Sequence, residues 1–139
     1  RRLPVRRATL SAMKDTALIL FAHGARDPEW ANPMRRVRAA LLERDPELRV
    51  ELAFLEFMSP DLESCAGMLA GEGYRAVVVL PMFIAQGGHL KNDVPRLMEQ
   101  LRARHPGVEF RVGPPVGEAE PIVAAMAGYA QDLMHSIKL

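Results

Sequence analysis

Two of the four histidines in this chain directly follow long apolar runs. His23 closes one in "LILFAHGARDPEW", and His89 stands in "PMFIAQGGHLKNDVP" just after "AVVVLP". A carboxylate, Glu56, falls near the end of another apolar run, "LRVELAFLEF". Two imidazoles and a carboxylate suit a divalent transition metal that keeps open coordination positions. Neutral imidazole also exchanges a proton near neutral pH, so the same side chains can do general acid–base work. No short motif such as HExxH holds two of these residues, so spacing alone does not make a site. Taken singly, each has a structural reading. His23 can bond a neighbouring backbone carbonyl, Glu56 can point into solvent, and Gly87-Gly88 can make a tight turn. What matters is whether the fold brings them together.

The elements that would position them read as alternating strands and helices. "TALILFAH", residues 16–23, is an apolar run of strand length. "PEWANPMRRVRAALLERDP" follows with Trp30, Met34, Val37, Ala40 and Leu41 at helical spacing and Pro33 in the first turn. The second strand is 48–57. In "SPDLESCAGMLAGEG" Ser59 reads as the helix cap, Pro60 as the first helical residue and Gly71 or Gly73 as the end. "YRAVVVLPMF" is the third strand, and "NDVPRLMEQLRARHP" the next helix, with Leu97, Met98 and Leu101 on its buried face. "VEFRVGPPVG" is the fourth strand and "AEPIVAAMAGYAQDLMHSI" the last helix.

Strands that are each followed by a helix imply β-α-β units and a parallel sheet. Strands apolar throughout imply helices on both faces. The expectation is a small doubly wound α/β domain, flavodoxin-like, with a four-stranded parallel sheet, over residues 16–139. Ligands of such sheets bind outside the carboxyl ends of the strands. His23-Gly24-Ala25-Arg26-Asp27, Glu56, Gln86-Gly87-Gly88-His89 and Gly113–Glu118 all fall on that edge. His105, at a helix C-terminus, and His135, in the terminal helix, read as structural.

Composition narrows the function. The chain has 139 residues and a formal net charge of +1. Arg1, Arg2, Arg6, Arg7 and Lys14 sit in an N-terminal stretch without acids, and the rest of the chain is acidic. Residues 1–15 are set apart as a basic extension, with Met13 an alternative start. This distribution argues against nucleic-acid binding by the folded domain. No apolar run approaches the ~18 residues of a membrane span, and the basic stretch lacks the apolar segment of a secretory signal. The single cysteine, Cys65, excludes an internal disulfide and fits a reducing, cytoplasmic location; its helical context reads as core. No G-x-G-x-x-G or P-loop follows a strand, so nucleotide cofactors lose their support. Ser59 lacks a G-x-S-x-G elbow, which argues against a hydrolase.

"LFAHGARDPEW", "ELAFLEFMSPDLE" and "VVVLPMFIAQGGHLKNDVP", in that order, resemble the sirohydrochlorin chelatases. The resemblance spans about residues 16–130 and is closest to the small single-domain cobaltochelatases of cobalamin synthesis and the related ferrochelatases of sirohaem synthesis. Its most specific part is G-G-H-x-K-x-D-x-P. The resemblance implies a class II, ATP-independent lyase that inserts Co²⁺, Fe²⁺ or Ni²⁺, as substrate, into a tetrapyrrole with carboxylate arms, and that uses no organic cofactor. It implies His23 and His89 as metal-binding residues and Glu56 as an assisting ligand or base. Because larger members have two such domains, it implies a homodimer that builds a cleft between two copies. The family pattern usually has Ser after H-G; Ala25 stands here and removes one hydroxyl from the rim.

Insertion must hold a metal, strip its water and remove two pyrrole protons. Proton and metal compete for the same imidazole, so activity is expected to fall below about pH 6. Met82, Phe83 and Ile84 are candidates to pack on the macrocycle, with core packing the alternative. Gly87 and Gly88 form the loop beneath it, and Arg26 and Lys91 are candidates for its carboxylate arms. A non-catalytic metal or tetrapyrrole carrier of the same fold is the competing reading, and an incidental flavodoxin-like domain the third.

Overall fold

A computed structural model describes residues 15–137. The basic extension expected over residues 1–15 lies outside the described residues except for Asp15. The Asp15 carbonyl accepts the N–H groups of Arg75 and Ala76, so its backbone belongs to the folded sheet edge.

The strands are β1 (Thr16–Ala22), β2 (Arg49–Phe54), β3 (Ala76–Pro81) and β4 (Glu109–Val112). The helices are α1 (Asn32–Arg44), α2 (Leu62–Gly71), α3 (Gly88–Arg104) and α4 (Glu120–Ser136). The sheet is parallel throughout, in the order β2-β1-β3-β4. This is the flavodoxin-like strand order with its last strand missing. The chain leaves β1 toward β2 on one side and leaves β3 toward β4 on the other, so the order reverses between β1 and β3.

Strand alternation sorts side chains to two faces. Ala17, Ile19 and Phe21 of β1, with Val77, Val79 and Phe110, pack beneath Leu62, Cys65, Ala66 and Leu69 of α2 and Val94, Met98 and Leu101 of α3. An ion pair between Arg104 and Glu63 joins these two helices at the surface. On the opposite face, Ala22, Phe54 and Leu52 pack with Ala31 and Met34 at the start of α1. The helices therefore do flank both faces, but unequally. None of the 17 residues of α4 is buried, and the terminal helix joins neither cluster.

The strands are shorter than the sequence reading, with β2 ending at Phe54, β3 at Pro81 and β4 at Val112, and three helix starts differ from it. The cap of α2 is Asp61, not Ser59, and Pro60 lies outside the helix. The Asp61 carboxylate accepts the Ser64 N–H at 2.8 Å, while Phe54 N–H donates to the Pro60 carbonyl and holds that segment extended against β2. A charged cap three residues before its donor outcompetes the serine upstream. Trp30 belongs to a separate 3₁₀ turn, Pro28–Ala31, capped by Asp27 through the Glu29 N–H. α3 begins four residues before Asn92, so His89 and Lys91 stand in its first turn and Pro95 lies inside it. The helix tolerates the proline because Val94, Met98 and Leu101 bury its apolar face, each contributing about 1.5–3 kcal/mol against the ~3 kcal/mol cost of an interior proline.

Candidate functional site

In a doubly wound sheet the crevice for ligands opens where the strand order reverses, because the loops on either side depart to opposite faces. Here those loops follow β1 and β3. They are the two loops that carry His23 and His89.

The β1 loop is pinned to the end of β2. Leu55 N–H donates to Ala22 O at 2.9 Å and Glu56 N–H donates to His23 O at 3.1 Å, continuing the parallel ladder past the last strand residues. Gly24 has φ +94°, and a side chain there would collide with the Glu56 carbonyl. The glycine is what allows this approach. The side chains follow the backbone: His23 Nε2 lies 3.0 Å from Glu56 Oε1, with both side chains about half exposed, at 48% each. Beneath them Phe83 meets Phe21 edge-on at 5.8 Å and His23 at 6.5 Å between ring centres. Phe83 is buried. It offers no face to a ligand and instead braces the His23 ring. Ile84, the next residue, is 75% exposed, and Met82 packs against the cluster under α1.

The β3 loop opens on Gly87, the extended cap of α3, and on Gly88. A Cβ at either would meet nothing within 4 Å, so these glycines leave clear space above the backbone. His89 and Lys91 are exposed in the turn that follows. Among the described residues no three His, Cys, Asp or Glu side chains are grouped to hold a metal ion. The structure thus pairs His23 with Glu56 and puts His89 in the segment after the neighbouring strand β3, outside that pair.

The sequence reading missed Phe57. Its backbone is left-handed, φ 66°, a conformation that bulky residues avoid. Its ring is 58% exposed, and the Arg26 guanidinium lies 5.1 Å from the ring centre. A strained, exposed aromatic next to Glu56 in the chain is a candidate rim residue. The cue in sequence was "EFMSP", a large aromatic at a strand exit, but nothing in it signals positive φ. Arg26, a candidate for the carboxylate arms, here lies over that ring.

His105 is the C-terminal cap residue of α3 and packs against Phe110; His135 lies in the last turn of α4. Cys65 is buried and its thiol is pushed up to about 12 by desolvation, with the nearby Glu51 charge adding to the effect. It is no nucleophile. None of the helices among the described residues is long and apolar enough to cross a membrane.

The chain is also similar to known proteins. The family model described as CbiX matches residues 17–133. A sirohydrochlorin cobaltochelatase of Sulfurisphaera tokodaii is 29% identical over 119 residues, which cover 86% of this chain and 94% of that protein. One from Saccharolobus islandicus is 33% identical over 111 residues, covering 76% of this chain and 85% of the relative. Among solved structures, a CbiX protein from Marinobacter aquaeolei VT8 superposes with a TM-score of 0.77 at 28% identity, covering 88% of this chain and 99% of that one.

Proposed function

The chain belongs to the CbiX family, and from that premise we propose that it inserts a divalent metal, Co²⁺ or Fe²⁺, into sirohydrochlorin. The observation that carries this reading is the His23–Glu56 pair, seated on one lip of the switch-point crevice with His89 on the other. The reaction takes the metal and the tetrapyrrole as substrates and needs no organic cofactor and no ATP. A reducing cytoplasm suits it.

Each residue has a role in the proposal. His23 and His89 hold the incoming metal. Two imidazoles leave most of the coordination sphere open, which suits a site that must hand its metal on rather than keep it. With Nε2 bonded to Glu56, the His23 ring carries its proton on that nitrogen and turns Nδ1 to the crevice. Nδ1 then binds the metal or accepts a pyrrole proton. Glu56 stabilises the imidazolium that results, in the way a carboxylate orients a catalytic imidazole. Two pyrrole N–H protons leave as one metal dication enters, so charge balances.

The macrocycle is flat and apolar with carboxylate arms. Phe57 and Ile84 are the exposed apolar groups at the rim. Phe57 supplies a stacking face, the space over Gly87 and Gly88 admits the ring, and Arg26 and Lys91 meet the arms. A second copy of the chain closes the crevice from above, as a homodimer. The test is turnover. Anaerobic mixing of Co²⁺ with excess sirohydrochlorin is expected to give many equivalents of metallated product per chain, read from the visible absorption change. Uptake that stops at one equivalent would favour a carrier.

A further inference from the structure

β2 is an edge strand, paired to β1 on one side only. An open strand edge presents backbone N–H and C=O groups that need partners. Leu55 N–H donates to Ala22 O, so the odd-numbered residues of this segment turn their backbone groups to β1. Val50, Leu52 and Phe54 turn theirs away from it. Two of these three are closed off. Arg38 Nε donates to Val50 O at 2.7 Å, and Phe54 N–H donates to Pro60 O at 2.9 Å. Between these two stoppers, Leu52 presents an N–H and a carbonyl by the same alternation.

A groove of about 420 Å³ opens at this gap. Leu52, Phe54 and Pro60 give it an apolar side, and Arg35, Arg38 and Ser59 supply polar groups around them. Leu52 and Phe54 point to the α1 face of the sheet. Glu51, which also lines the groove, alternates to the other face. A groove touched by all three therefore runs along the strand edge itself.

Both arginines are anchored but not neutralised. Arg35 Nη1 donates to Pro28 O at 3.1 Å and to Asn32 Oδ1 at 2.9 Å, and Arg38 is held through Nε. Neither pairs with a carboxylate among the described residues. Each keeps a positioned guanidinium with N–H groups still to be bonded. The Glu51 carboxylate is drawn to Arg49 instead, at 3.4 Å. Strand addition by a peptide does not fit this edge, because Arg38 and the Pro60 segment block it on both sides of Leu52.

We propose that the groove is a second ligand site that takes a small organic carboxylate. Its charged end sits on Arg35 and Arg38, with the Ser59 hydroxyl and the Leu52 N–H as further donors, and its short apolar body lies on Leu52, Phe54 and Pro60. Inorganic phosphate fits less well, since it would leave the apolar side bare and set a second charge beside Glu51. The site contains none of His23, Glu56 and His89 and does not depend on metal insertion. Ser59 and Pro60 belong to the segment that leaves β2 through Glu56 and Phe57, so a bound acid holds that segment against the strand edge. A free organic acid and a carboxylate arm of the macrocycle offer the same chemistry.

The test is calorimetric titration of the full chain with succinate at low salt, where exposed charges are screened least. Saturable binding at one site per chain is expected. Arg35→Gln and Arg38→Gln are each expected to weaken it by about tenfold or more, the scale of a lost hydrogen bond to a charged group. Arg35→Gln leaves the bond that closes the β2 edge intact, since that bond comes from Arg38. Arg36→Gln removes the same charge from an exposed position of the same helix outside the groove and is expected to change nothing. Succinate that binds without displacing metal-free sirohydrochlorin, followed by its fluorescence, assigns the site to a free acid. Displacement that Arg35→Gln abolishes assigns it to an arm of the macrocycle. No saturable binding, binding that survives both groove variants, or an equal loss in Arg36→Gln would overturn the proposal.

Discussion

His23 Nε2 lies 3.0 Å from Glu56 Oε1, and the His23 carbonyl accepts the Glu56 N–H at 3.1 Å. Backbone and side chain thus join the same two residues, so neither can move without the other. In the proposed reaction this carboxylate orients the imidazole for metal binding. Glu56→Ala is expected to lower the rate of metal insertion by about 10–100-fold, the usual effect of removing a residue that orients a metal-binding histidine. Glu56→Gln keeps an acceptor but loses the charge, and is expected to fall between Ala and wild type. Equal rates for all three would remove Glu56 from the reaction.

Gly24 has both a left-handed backbone and no room for a side chain beside the Glu56 carbonyl. Gly24→Ala is expected to lower unfolding stability by more than about 1 kcal/mol and to reduce insertion by displacing His23 from Glu56. Thermal unfolding and initial rates measure the two effects. A variant with wild-type stability and rate would show that this contact yields easily.

Phe57 is strained and exposed. Phe57→Gly relieves the left-handed backbone, worth about 1–2 kcal/mol, and removes the ring. Its unfolding midpoint is expected to stay level or rise while KM for sirohydrochlorin increases several-fold. The opposite sign in stability, or an unchanged KM, would mean that the ring serves packing rather than the macrocycle.

Asp61 shows the pH dependence of the fold. The Ser64 N–H, bonded to its carboxylate, holds its pKa below the ordinary value. A carboxyl group depressed in the folded state adds stability above its unfolded pKa and loses it as pH falls through the folded one. Asp61→Ala is therefore expected to cost about 1 kcal/mol at neutral pH. The gap to wild type should close in acid, as measured by urea unfolding across pH.

Cys65 behaves in the opposite sense. Burial pushes its thiol to about 12, so below pH 8 it is neutral whether the chain is folded or not and does not affect stability. As pH rises above about 9 the unfolded chain ionises first, and stability declines. At pH 8, iodoacetamide is expected to label the native thiol roughly a thousandfold more slowly than the urea-unfolded one, following the thiolate fraction.

Much of this was legible before any coordinates. Four apolar runs, each followed by helical spacing, give the strands, and the parallel order follows from their connections. With that order, His23 and His89 fall on the two loops at the switch point. What the sequence left open depended on contacts between distant segments. Asp61 displaces Ser59 as the cap because Pro60 is bonded to Phe54. Phe83, expected on the substrate side or in the core, turns inward because Phe21 and His23 make its pocket. The left-handed turn at Phe57 carries no glycine to announce it. The stripe on α4 shows that the helix has an apolar face but does not say what that face meets.

The most direct measurement of the central claim is anaerobic Co²⁺ insertion into sirohydrochlorin by the wild type beside His23→Ala and His89→Ala, at saturating substrate and with folding checked by circular dichroism. The proposed mechanism requires both variants to stay folded and to lose at least about 100-fold in rate, the scale of a lost proton-transfer group. A folded variant of either that inserts metal within a few-fold of wild type would contradict the account of the two lips of the crevice.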